Sequence, residues 1–148
     1  MPLQPSFNAY NSVTDANVTG DGTDYTVIFD TELYDRGGDY DTGTGIFTAP
    51  VTGIYVFCAN IVVSNLGAGH TNGNLLFFTT GRPYLSLLAN PYAGSTSGYF
   101  GMNASIVTSM TAGDTAYVHV VVAGSTKTVS IFGNAGTTYS FFSGYLAC

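Results

Sequence analysis

An antiparallel all-β sandwich is the fold class this sequence predicts, and three observations carry it. Helix formers are scarce, with a single Glu and a single Lys in 148 residues, while Tyr 11, Phe 10 and Gly 19 are abundant. No segment sustains apolar residues at i, i+3, i+4 and i+7. Short β-rich runs are instead broken by Gly, Pro, Asn and Asp about every ten residues, the spacing of a sandwich or barrel.

The elements follow in order. Ser6–Ser12 opens the chain, and Tyr25–Tyr34 carries Val27 and Phe29 on one side against Thr26, Asp30 and Glu32 on the other. Gly45–Ala49 is short, and Gly53–Ser64 is the longest continuous run. Asn74–Thr79 follows Asn72-Gly73, a pair suited to a hairpin turn with positive φ. Tyr84–Ala89 lies between breaks at Arg82-Pro83 and Asn90-Pro91. Tyr99–Met110 ends before the Ala112-Gly113-Asp114 turn, Thr115–Val122 follows it, and Thr128–Phe132 alternates Val129 and Ile131 with Thr128 and Ser130. Thr138–Leu146 closes the chain. No linker or repeat interrupts these runs, so residues 1–148 are expected to form one domain.

Composition narrows the function. The net charge is −6 with three basic residues in all, which argues against neutralising nucleic-acid phosphates. No apolar run reaches the ~18 residues of a membrane helix. Met1-Pro2-Leu3-Gln4 shows neither a basic n-region nor an apolar stretch, so no signal peptide is expected.

Three strands are apolar on both faces, which one partner sheet does not cover. In Gly53–Ser64, Tyr55, Phe57, Ala59 and Ile61 share one face, and Ile54, Val56, Cys58 and Val62 the other. In Thr115–Val122, Ala116, Val118, Val120 and Val122 oppose Tyr117, His119 and Val121. In the last strand, Tyr139, Phe141 and Tyr145 oppose Phe142 and Leu146. With no helix to supply a second cover, the pattern predicts a homo-oligomer that buries one sheet.

The spacing of Phe29, Asp35, Tyr40, Phe47, Gly53, Tyr55 and Phe57 resembles the signature of C1q domains, with its closing Gly-x-Tyr-x-Phe. Tyr40–Pro50 is similar to the family's Tyr-x-x-x-Thr-Gly-x-Phe segment, Gly113-Asp114 to its Gly-Asp turn, and Phe142-Ser143-Gly144-Tyr145-Leu146 to its closing motif. Ala59 stands where the family prefers an aromatic. The resemblance implies a jelly roll of about ten strands, of the C1q and tumour necrosis factor type, assembled as a homotrimer with one sheet lining the threefold axis. It implies that Tyr55 and Phe57 face the core, and Ile54, Val56 and Cys58 the neighbouring subunits. In Thr115–Val122 the less aliphatic side, with Tyr117, His119 and Val121, is expected at the interface.

No catalytic residues are expected, because Gly-x-Ser-x-Gly, His-Glu-x-x-His and Cys-x-x-Cys are all absent. His119 reads as a buried or interface histidine, and His70 as a solvated loop residue. No cofactor is required. Eight of the nine acids fall between Asp15 and Asp41. Calcium, which prefers oxygen ligands from loops, is the ion that Asp21 and Asp24, or Asp35, Asp39 and Asp41, would take. Solvated carboxylates explain the same pattern. Tyr84, Tyr92 and Tyr99 border Ser-, Asn- and Gly-rich loops and are the candidate ligand-binding aromatics. The expected function is a non-enzymatic trimeric recognition module for a glycan or protein ligand, at a fibre tip or on a surface. A decoration or fibre component of a virus or phage particle is the alternative. Either role is extracellular or on a virion surface.

Overall fold

The computed structural model describes residues 4–148. Met1–Leu3, on which most of the leader-peptide expectation rests, lie outside the described residues. Thirteen strands form two antiparallel sheets: β1 Ser6–Tyr10, β2 Asp15–Thr19, β3 Asp24–Thr26, β4 Thr31–Arg36, β5 Tyr40–Asp41, β6 Ile46–Thr48, β7 Gly53–Ser64, β8 Asn72–Thr79, β9 Arg82–Ala89, β10 Phe100–Met110, β11 Thr115–Ala123, β12 Val129–Ile131 and β13 Phe141–Leu146. Sheet A joins β2, β12, β7, β13, β1 and β4 in that order, with β10 on the free side of β7. Sheet B runs β5, β6, β11, β8, β9, with β3 also on β11. There is no helix among the described residues.

The period-2 alternation expected of a half-buried strand is complete in the two central strands. In β7 every second residue from Tyr55 to Val63 is buried, and in β11 Ala116, Val118, Val120 and Val122 are buried. The two inner faces meet in an aromatic core. Phe142 lies 4.9 Å from Phe7, 5.7 Å from Phe57, 5.9 Å from Phe29 and 6.1 Å from Phe77, measured between ring centroids. Ala59 pairs in register with Phe142 on one side and Ala104 on the other.

Three local expectations are corrected and one strand is added. Tyr25–Tyr34 is not one strand: β3 belongs to sheet B and β4 to sheet A, and the segment between them crosses the sandwich. Val27 and Phe29 anchor that crossing in the core, and Ile28 breaks the alternation there. Asn72-Gly73 is not a turn but the start of β8, where Pro91 packs over the bare Gly73 backbone. Arg82-Pro83 is not a break but the start of β9, an edge strand, where a residue without N–H is tolerated. The polar run Asp15–Thr19, with Asn17 at φ 56°, pairs with β12 as a strand that hydropathy does not reveal.

Candidate assembly and binding surfaces

Register fixes what each sheet presents outward. On sheet A one row crosses five strands as Val107, Val56, Tyr145, Ser6 and Arg36. The next is Ser105, Cys58, Ser143, Asn8 and Tyr34, and the third is Asn103, Asn60, Phe141, Tyr10 and Thr31. None of the three rows holds a carboxylate, in a chain with nine acids. Val107 is 65% exposed and Tyr145 47% exposed, so the first row presents open apolar side chains, while the other two mix Ser, Asn and Thr with Cys58, Tyr34, Phe141 and Tyr10. Beyond the third row the surface continues through Phe132, which meets Tyr99 edge-on at 5.4 Å and Tyr139 at 5.0 Å. A groove of about 370 Å³ runs along Cys58, Asn60, Asn103, Ser105 and Phe141.

Ile54, Val56 and Cys58 alternate with the core residues of β7 and are half-buried on this outer face. Tyr117, His119 and Val121 likewise face away from the core, but on sheet B. The six residues expected at one interface therefore lie on opposite sides of the sandwich, and a single axis facing sheet A is not lined by the β11 three. Val107, Tyr145, Phe141 and Phe132 complete the sheet A face. Their signal was a parity shared with β7 once the pairing is known.

On sheet B, His119 packs against Phe78 at 4.3 Å and Tyr117 at 5.1 Å. Its Nε2 shares a 2.7 Å hydrogen bond with Thr26 Oγ1. Its Nδ1 lies 2.8 Å from Asp24 Oδ1, off the line a hydrogen bond requires. His70 corrects the expectation of a solvated side chain, since it is 2% exposed. Its Nδ1 accepts from the Gly67 amide at 2.9 Å and its Nε2 donates to the Thr126 carbonyl at 2.9 Å, tying the β7–β8 loop to the β11–β12 loop.

The expected ligand tyrosines do not form one platform. Tyr84 points inward, its hydroxyl 3.1 Å from Thr108 Oγ1 across the β9–β10 edge. Tyr99 belongs to the sheet A surface. Tyr92 alone stays on an open loop, where its carbonyl accepts from the Ser95 amide and hydroxyl.

The acids are divided too. Asp21 Oδ1 accepts from the Thr23 amide and hydroxyl, and chiefly the hydroxyl bond holds its carboxyl below the usual range. Asp41 Oδ1 accepts from the Gly43 amide and Asp35 Oδ2 from the Tyr40 amide. Asp39 is held above the usual range by burial, with the Asp35 charge adding to it. Asp24 sits beside His119, so the carboxylates serve turns and neighbours. Among the described residues no three His, Cys, Asp or Glu side chains gather to hold a metal ion.

Comparison with known proteins agrees with this architecture. The globular domain of zebrafish complement 1qA is 22% identical and superposes with a TM-score of 0.66 over 98% of each chain. Murine APRIL, in its pH 8.5 crystal structure, is 12% identical with a TM-score of 0.63, covering 97% of this chain and 98% of that one. These likenesses establish a C1q and tumour-necrosis-factor-like jelly roll. The C1q domain family is matched over residues 9–147, and the chain belongs to that family.

Proposed function

We propose that this chain is a non-enzymatic, homotrimeric recognition module whose threefold axis faces the outer side of sheet A. The observation that carries the reading is the absence of carboxylates from the three outward rows of an open sheet face, one of which exposes Val107, Val56 and Tyr145, in a chain of net charge −6. Copies that share a charge of one sign associate where that charge is missing. Val107, Val56, Tyr145 and the Phe132 cluster would lose their water contact there, which supplies the driving force. A cyclic trimer is a heterologous assembly, so this face meets a different surface of the next subunit.

Three copies present three equivalent loop sets and three outer sheets to a ligand, and avidity multiplies a weak single contact. The recognition role, and the setting typical of C1q domains, support an extracellular location. Val107→Asp tests the assembly half of the reading. Val107 is exposed, so the fold should survive, and light scattering should show the mass fall from three chains to one. Val13→Asp, equally exposed but in the β1–β2 loop, should leave the mass unchanged. A Val107→Asp protein that keeps the wild-type mass contradicts the proposed axis.

A further inference from the structure

The outer face of sheet B is also apolar, but its rim is charged. Leu85 and Leu88 are 57% and 67% exposed on the edge strand β9, in register with Leu76 and Asn74 of β8. The surface continues across Phe78 and Tyr117, which pair between β8 and β11. On the far side it ends at two acids, Asp24 of β3 opposite Val121 and Asp41 of β5 opposite Ile46. Open apolar surface of this extent marks an interaction site rather than a solvated one.

Charge decides what fits it. Packed face to face, two copies set one acidic rim near another, and the rest of the chain offers that rim only Arg36, Arg82 and Lys127, the first of them on the sheet A face assigned to the axis. A sugar would stack on open ring faces, but Phe78 and Tyr117 stack on each other at 5.5 Å and His119 leans on both. What remains open is aliphatic. We propose that the outer face of sheet B docks a protein partner that presents apolar side chains beside Lys or Arg, a proposal that rests on the threefold covering of sheet A, which leaves sheet B facing outward three times. The leucines provide the desolvated contact, and Asp24 and Asp41 orient the basic side and speed its approach.

Fluorescence anisotropy on the full chain tests this with three short synthetic peptides: one alternating Leu and Lys, one with Ser in place of Leu, and one with Glu in place of Lys. The Leu–Lys peptide should bind roughly tenfold tighter than either counterpart. The double variants Leu85→Ser/Leu88→Ser and Asp24→Asn/Asp41→Asn should each lose about tenfold. Equal binding of the Ser–Lys peptide, or indifference to the leucine variant, overturns the proposal. So does a glycan bound on an array by the wild type and lost by the leucine variant. Light scattering on the same samples separates this proposal from the trimer. A leucine variant that falls below the wild-type mass assigns the strip to self-contact and overturns the docking surface. A wild type that is a single chain contradicts the trimer, while the peptide result still decides the docking surface.

Discussion

His70 shows how far one side chain's surroundings depend on distant chain. Its Gly-rich neighbours suggest solvent, yet its ring spans Gly67 and Thr126, and the second of these is 56 residues away. His70→Ala removes a buried ring together with its hydrogen bonds to the Gly67 amide and the Thr126 carbonyl. A loss of about 1–3 kcal/mol is expected in urea unfolding, from the lost hydrogen bonds and the space the ring vacates. The acids belong to the same scale. Burial, with the Asp35 charge beside it, raises the Asp39 carboxyl above its unfolded value. Protonation therefore favours the folded state. That contribution is full below the ordinary carboxylate range and fades as pH rises through the raised value. Asp39→Asn, which removes the charge, should raise the melting temperature at pH 7. Its advantage should shrink as pH falls toward 4 and below. An Asp39→Asn protein no more stable than wild type at pH 7 contradicts this assignment. Phe142 sits among five aromatic rings, and Phe142→Ala should cost about 3–5 kcal/mol through the cavity it opens.

At the scale of elements, long alternating strands are legible and their partners are not. β7 and β11 have the inward and outward parities that the sequence suggests, because burial of one face enforces period 2. Parity does not say which sheet a strand joins. That depends on pairing between residues far apart, such as Val56 with Val107 and Tyr145. This is why the expected interface divided between the two sheets. The same limit hid the crossing between β3 and β4, where a continuous apolar pattern runs from one sheet into the other. Asp15–Thr19 was missed for the opposite reason, since its pairing with β12 is made by backbone groups under polar side chains. The Asn72-Gly73 and Arg82-Pro83 signals failed because local turn chemistry yielded to the ladder of β8 and the open side of β9. Gly144 shows the reverse case, a local feature set by packing. A Cβ there would lie 2.4 Å from Phe57 Cδ1. Gly144→Ala should therefore lower the unfolding midpoint, and near-UV circular dichroism should report disturbed aromatic packing.

For the molecule as a whole, charge placement sorts the two apolar faces. Sheet A's outer rows carry no carboxylate, whereas sheet B's outer face is bounded by Asp24 and Asp41. The first suits self-association, the second a basic partner. The C1q family assignment fixes the jelly roll, and the residues on each face argue for the assembly and its exterior. Light scattering of the wild-type chain at micromolar concentration tests the central claim most directly. Three times the chain mass is the predicted result; a soluble, folded species of one chain mass would contradict it.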